Sequence, residues 1–389
     1  MLSSHKTCFN GKLVALFLFQ FSLLIPFMRV LEPKLLIAFF SSFFCVLILY
    51  KNKSLVINSR VFLVYFLVLF LFLIKWLIGQ AEDDVFFTIF MYITPVLFLF
   101  LYPFSYKKTL KTMFILSKIG FLLLFWLPFS SQITTSYMRF GYGMVPIVIL
   151  SYVEIKYYKY IIDFSVNNIK NLNKVFNFII VLVGSLEILL YGARGCTFSL
   201  LVFIFLDYFL LKSFSFLKSA LLFICLLTIY FNIEWVFDVL DIIVSKFGVF
   251  SYSLLKFKRQ LLYGFENAAS GRLDLYTNAV EDIFENPLFG GNISISETYV
   301  HNLFLQVGSD FGIFAVLIMI LFLIYVLHLI CSQSTTSEEK ILLVTLFSIS
   351  FGRLMFSSTI WQRPEFWMLV FCVFSFKHNK EVNKKVKDY

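Results

Sequence analysis

Apolar runs of membrane-spanning length recur along the whole chain, and they leave little choice of architecture. A hydrocarbon core of ~30 Å takes about 20 apolar residues as helix. By that measure we expect about twelve spans, near residues 12–28, 34–50, 60–79, 86–102, 109–128, 139–155, 174–192, 196–211, 214–232, 311–331, 340–358 and 364–377. Transmembrane β-strands would alternate apolar and polar residues, and these runs do not. Helices satisfy their own backbone in lipid. The expected fold class is therefore all-α, a polytopic transmembrane bundle with one long outer loop. Residues 1–232 hold about nine spans, 233–302 form the loop, 303–377 hold about three more, and 378–389 form a tail. Gly141, Gly143 and Pro146 predict a kink or break in the sixth span.

The composition agrees: 60% of residues are hydrophobic and only 14% charged, more apolar surface than a soluble domain can hide. The net charge of +10 does not point to nucleic acid, because the lysines sit between apolar runs and in the tail, with no basic domain. The lysine and arginine bias orients the chain. Lys51, Lys53, Arg60, Lys107, Lys108, Lys111, Lys156, Lys159, Lys170, Lys174, Lys212 and Lys218 fall on one side with the tail lysines. Glu82, Asp83 and Asp84 fall on the other. Both termini are thus expected in the cytoplasm, and the 233–302 loop outside. The first apolar run lacks a small-x-small cleavage site and reads as a retained helix. The six cysteines form no C-x-x-C pair, so neither a disulfide frame nor a zinc site is indicated.

Within the loop, residues 235–243 and 254–262 are amphipathic enough to lie along the membrane surface. Residues 270–287 read as a helix, capped by Ser270 and stopped by Pro287, with Leu273, Tyr276, Val280, Ile283 and Phe284 on one face. Arg272 lies in its first turn, either a solvated surface residue or an anion clamp whose fork matches a phosphate. Arg194, in Tyr191-Gly-Ala-Arg-Gly195, lies at the outer end of the seventh span, where small neighbours leave room for a ligand. Snorkelling to the interface is its plainer role. His301 precedes a helix whose positive end favours neutral imidazole and a bound anion. Such an imidazole accepts a proton near neutral pH. Arg139, at an outer boundary, is a further substrate-binding candidate. Arg353, inside the eleventh span, needs a partner or a cavity. Arg363 reads as an interface anchor. Asp274, Glu281, Asp282, Glu285, Glu297 and Asp310 are alternative carboxylate bases, with no spacing that singles out a pair. His5, His328 and His378 have no such context. No P-loop, zinc-protease, nucleophile-elbow or Rossmann signature occurs, so a reaction here draws on an ion gradient or an activated substrate.

Arg272, then Asn286-Pro-Leu-Phe-Gly-Gly291, then His301-Asn302 and Gly308 to Gly312, with Arg194 upstream, resemble the O-antigen polymerase and O-antigen ligase superfamily. The motif-bearing match covers roughly a quarter of the chain. The resemblance implies a metal-independent glycosyltransferase with no cofactor. Its substrates would be undecaprenyl-diphosphate-linked oligosaccharides of O-antigen or capsule, met at the outer face of a bacterial inner membrane. A sugar hydroxyl would attack an anomeric carbon and the lipid diphosphate would leave. His301, Arg272 and Arg194 would be catalytic; Arg139, Asn302, Gly290 and Gly291 would bind substrate. A chain-length regulator is implied as a partner, alongside the bilayer, and no nucleic acid. Joining repeat units is the leading expectation, with ligation of finished polymer to an acceptor second. A flippase or secondary transporter, suggested by Glu187, Asp207 and Arg353 within spans, is the alternative of another class.

Overall fold

The computed structural model describes residues 2–26, 33–52, 57–129, 137–161, 167–209, 272–293 and 300–387, together with 238, 239, 242 and 246. These residues are helical almost throughout, and no named strand occurs among them. The expected span 214–232 and the amphipathic stretches 235–243 and 254–262 lie largely outside the described residues.

In chain order the helices are α1 (Leu2–Leu24), α2 (Pro33–Asn52), α3 (Ser59–Leu77), α4 (Asp83–Thr88), α5 (Thr94–Leu101), α6 (Tyr106–Leu124), α7 (Tyr137–Ile161) and α8 (Asn167–Tyr191). They continue as α9 (Arg194–Phe209), α10 (Arg272–Glu285), α11 (Leu303–Phe311), α12 (Ile313–Cys331), α13 (Ser337–Leu354) and α14 (Pro364–Lys387). A five-residue π segment, Ile89–Ile93, joins α4 to α5 into one apolar rod. Among the described residues, seven helices are long and apolar enough to cross a membrane: Thr7–Leu24, Ser59–Leu77, Asp83–Leu101, Tyr106–Phe129, Tyr137–Tyr157, Asn171–Tyr191 and Ile313–Cys331. Phe39–Asn52 and Pro364–Phe376 are shorter apolar helices. This is a membrane protein.

Helix α7 lies at the centre, packed against α1, α6, α8, α9 and α13. Its apolar window is 78% buried, against 22% for α3 and 17% for α12. Those two outer helices expose Phe62, Phe66, Phe70, Leu317, Ile318 and Leu321, a surface stable only against lipid. The expected break in α7 does not occur. Pro146 sits inside a continuous helix and removes one rung, the one that would end on the Tyr142 carbonyl. α14 also runs past its expected end near 377, as helix to Lys387.

Small residues set the closest crossings. A Cβ on Gly352 of α13 would overlap Ser199 of α9, and one on Gly195 would meet Tyr142 of α7 and the Gly352 carbonyl at 3.1 Å. In a bilayer, where helices gain nothing by hiding apolar surface from each other, such close backbone approach supplies the packing energy. Polar contacts add to it. Asn10 of α1 and Asn52 of α2 exchange hydrogen bonds of 3.1 and 2.9 Å, and Asn10 also donates to the Pro103 carbonyl at 3.0 Å. Toward the same end, Lys118 pairs with Glu154 at 2.8 Å, and Lys156 pairs with Asp207.

The opposite end carries the candidate site. There α3 runs into the 78–82 link, which clips the 286–293 segment. Ile293 N–H donates to the Gln80 carbonyl at 2.8 Å, and Ala81 and Ile293 form an isolated parallel bridge. α10 packs on α11 through Ile283, for which Gly308 leaves space: a Cβ there would lie 2.6 Å from Ile283 Cδ1. The buried face of α10 differs from the expected one. Leu275, Tyr276, Ala279 and Ile283 turn inward or partly inward, while Leu273, Val280 and Phe284 are exposed. Hydrophobicity alone ranked the large side chains first, but contact with α11 favours the small Ala279.

Candidate functional site

Arg194, Arg272 and His301 come from three distant parts of the chain and meet at one end of the bundle. Arg194 opens α9 after a two-residue link from α8, in which Cys196 N–H donates to the Ala193 carbonyl at 2.8 Å. The link lies tightly on α7. A Cβ on Gly141 would sit 2.7 Å from Cys196 Sγ and 2.9 Å from Gly192 Cα. Arg272 opens α10, and His301 stands two residues before α11. All three are half-buried. The Arg272 charge acts on both Arg194 and His301, and Tyr137 and Tyr276 also act on Arg194.

Burial, and secondarily the Arg272 guanidinium, push the His301 imidazole down to about 4, so it is neutral at physiological pH. Its backbone is unusual too. With φ 52° it is the one non-glycine residue in the left-handed region among those described. Histidine tolerates that region better than most side chains, yet it is sparsely populated, and such positions cluster at sites of function. Two guanidinium groups near a neutral imidazole bring together the positive charge and N–H donors that a multiply charged anion calls for and a group able to accept a proton.

The expected substrate-binding residues fare differently. The Asn302 side-chain oxygen caps α11, accepting from the Phe304 and Leu305 amides at 3.0 and 3.2 Å. It therefore fixes the chain just after His301. Gly290, at φ 69°, packs against α11, where a Cβ would lie 2.4 Å from the Phe311 nitrogen. Gly291 N–H donates to the Ser309 carbonyl at 2.6 Å. The carbonyls of both glycines accept from Lys75 Nζ, at 3.2 and 2.8 Å. These contacts give the Gly-Gly turn a packing role. Arg139 is exposed on the first turn of α7, and Tyr137 of the same turn is the residue beside Arg194.

The alternative carboxylates separate as well. Asp274, Glu281, Asp282 and Glu285 are exposed on α10, and Asp282 accepts from Ser309 Oγ at 2.9 Å. Glu297 lies outside the described residues. Asp310 is fully buried, accepting from Gln306 Nε2 at 2.7 Å and from Trp361 Nε1 at 3.1 Å, and burial pushes its carboxyl up to about 7.

A buried polar floor adjoins the site. Arg353 pairs with Glu365 at 3.1 Å and is sandwiched between the rings of Tyr142 and Phe21, its guanidinium carbon 4.5 and 4.9 Å from their centroids. The Tyr142 hydroxyl hydrogen-bonds Ser357. Arg363 Nε donates to Ser358 Oγ, so this residue is tied into the floor and is more than an interface anchor. Arg353 thus has the partner its depth demanded. The sequence held a clue to it, since Glu365 is a nearby carboxylate across a short turn. Lys75 and Gln306 were missed: the bonds that tie Lys75 to the Gly290 and Gly291 carbonyls and Gln306 to the Val300 N–H end on backbone atoms, which residue types do not reveal. Among the described residues no three His, Cys, Asp or Glu side chains group to hold a metal ion.

No protein-family model matches the sequence, and no curated protein matches it.

Proposed function

We propose that this membrane protein is a glycosyltransferase of the O-antigen polymerase and ligase type, which joins undecaprenyl-diphosphate-linked repeat units at the outer face of a bacterial inner membrane. The observation that carries the reading is the meeting of Arg194, Arg272 and His301 at one end of the bundle. In this reading an acceptor sugar hydroxyl gives its proton to His301 as its oxygen bonds to the donor's anomeric carbon. The bond from that carbon to the diphosphate oxygen breaks, and the leaving diphosphate takes the electron pair. Arg194 and Arg272 balance the charge that develops on it. An imidazole held near 4 by burial and by the Arg272 guanidinium is a weak base before donor binds. A diphosphate seated between it and the arginines offsets the arginine field and strengthens the base only once donor is bound.

The topology proposed with this activity has about twelve spans, with both termini in the cytoplasm and residues 233–302 outside. α9 and α13 coincide with two of the expected spans, although each carries a buried charge, Asp207 and Arg353. Polymerisation is preferred over ligation, which shares the chemistry. A transporter reading has one observation in its favour. Glu187 of α8 is 5% exposed, with neither carboxyl oxygen hydrogen-bonded. The other charges that would serve it are already paired, Asp207 with Lys156 and Arg353 with Glu365.

Deleting the gene and resolving both the surface glycan and the lipid-linked pool on gels tests the three readings together. Single repeat units at the surface with the long ladder gone would support polymerase. Long polymer stranded on the carrier lipid would mean ligase, and repeat units held on the cytoplasmic face would mean transport. Wild-type glycan from normally expressed His301→Ala and Arg272→Ala variants would sink both enzyme readings.

A further inference from the structure

The peptide before His301 is held from within the bundle. Val300 N–H, which belongs to no helix, donates to Gln306 Oε1 at 2.9 Å. Gln306 Nε2 donates in turn to Asp310 Oδ1 at 2.7 Å, and Asp310 Oδ2 accepts from Trp361 Nε1 at 3.1 Å. Gln306 is 4% exposed and Asp310 is fully buried, so water does not compete for these bonds. Trp361 is wedged against Phe72 of α3 and Phe311 of α11, with ring centroids 5.8 and 5.7 Å away. The chain of bonds therefore runs from the residue before His301 to the packed core. On the other side of His301, Asn302 is pinned by its capping bonds. A left-handed residue fixed at both flanks has its Cα–Cβ bond held in one direction, which limits where the imidazole can reach.

We propose that Gln306 and Asp310 are positioning residues whose hydrogen-bond chain holds Val300 and thereby aims the His301 imidazole at the Arg272 side of the anion seat. The residue types fit this task. The link needs an acceptor toward a backbone N–H and a donor toward a carboxylate at the tip of one side chain. A glutamine amide supplies both, whereas glutamate lacks the donor and leucine lacks both. Asp310 then serves as an anchor and not as a second base: both of its oxygens are engaged inside the protein, and no route to a sugar hydroxyl remains. The inference rests on His301 being the base of the proposed reaction, but not on which glycan is made.

The test reads His301 itself. The chain has four histidines, so isotope-labelled full-length protein in nanodiscs gives a small set of imidazole signals, and His301→Ala identifies the one that matters. Arg272 acts on His301, while Lys75 and Asp282 act on Asp310. Wild-type His301 should titrate well below an ordinary histidine. In Gln306→Leu the imidazole should swing toward water and its midpoint rise by more than about one unit toward 6.5. Gln306→Glu keeps the acceptor for Val300 and should hold His301 near its wild-type value below pH 7, where adjoining carboxyls can share a proton. An unchanged midpoint in Gln306→Leu would overturn the proposal. A measurement on the unaltered protein guards against a misfolded variant. Hydrogen exchange at the Val300 amide should be slow despite its position outside any helix, and exchange at the free-peptide rate would equally overturn the proposal. Failure of the catalytic reading would show separately, as normal glycan from His301→Ala with the titration results unaffected.

Discussion

A neutral histidine beside a charged arginine ties the site to pH through one residue. In the unfolded chain His301 would titrate near 6.5, and in the folded protein near 4. Between these values the unfolded state binds more protons, so the folded state loses stability as pH falls through that window, and the loss levels off below it. Thermal unfolding in detergent should show wild type losing stability from pH 6.5 to 4 more steeply than His301→Gln. Asp310 acts with the opposite sign. Its folded value near 7 lies above the carboxylate's ordinary 3.8, so its contribution to stability is full below 3.8, is lost as pH rises from there through 7, and levels off above. Adding inorganic diphosphate should raise the His301 midpoint toward the ordinary range, because the anion screens Arg272. No movement at saturating diphosphate would argue against the anion seat. Arg353 makes a sharper stability case. Arg353→Ala leaves Glu365 buried without its cation and should cost about 3–5 kcal/mol. Arg353→Ala with Glu365→Gln should recover much of that loss in denaturation midpoints.

The elements show why the chain turns where it does. The π segment Ile89–Ile93 lies just before Pro95, which has no N–H to continue the α-helical ladder. Thr94 fills part of the gap, its hydroxyl donating to the Ile89 carbonyl at 3.4 Å, and it also hydrogen-bonds the Tyr65 hydroxyl at 2.7 Å. The wider turn carries Tyr92, on which the charges of Arg363 and Arg353 act. α13 begins with a reciprocal capping box, in which Thr336 N–H donates to Glu339 at 2.8 Å and Glu339 N–H to Thr336 Oγ1 at 3.3 Å. Thr336→Ala should cost about 1 kcal/mol in unfolding assays without altering the site. Gly290 and Gly312 mark the crossing of the 286–291 turn over the α11–α12 break. Both have positive φ, and a Cβ on Gly312 would lie 2.5 Å from the Pro287 carbonyl oxygen. Gly290→Ala should therefore destabilise by well over about 1 kcal/mol, since strain and overlap with backbone add. Loss of activity in that variant should follow loss of folded protein, as purification yield would reveal.

At the scale of the whole molecule, the ends of the bundle differ in charge chemistry. Arg194, Arg353 and Arg363 gather at one end with His301, while the Lys118–Glu154 and Lys156–Asp207 pairs lie toward the other. Cys331, exposed at the end of α12 that adjoins the Thr336 capping box, reports which end faces which compartment. In a variant retaining Cys331 as its single cysteine, an impermeant maleimide should label inside-out vesicles and spare intact spheroplasts. The reverse pattern would place the arginine end in the cytoplasm and remove the lipid-diphosphate reading.

The sequence by itself determined that the chain is a helical membrane protein, roughly where most of the described helices lie, and that Arg353 would need a partner. Those properties follow from short-range rules, namely the length of an apolar run, the missing N–H of proline and the cost of a bare charge in lipid. It also singled out Arg194, Arg272 and His301, through small neighbours and a helix start. Only the tertiary structure decided that these three come near one another: close backbone approach at Gly141, Gly195 and Gly352 places Arg194, and the packing of α10 on α11 at Gly308 places Arg272 and His301. It likewise turned the Gly290-Gly291 turn into packing, made Asn302 a cap, and drew Gln306 and Asp310 in behind His301. The glycine turn and Asp310 depend on Lys75 and Trp361, far away in sequence, and Gln306 on a backbone N–H. A linear pattern of residue types carries neither.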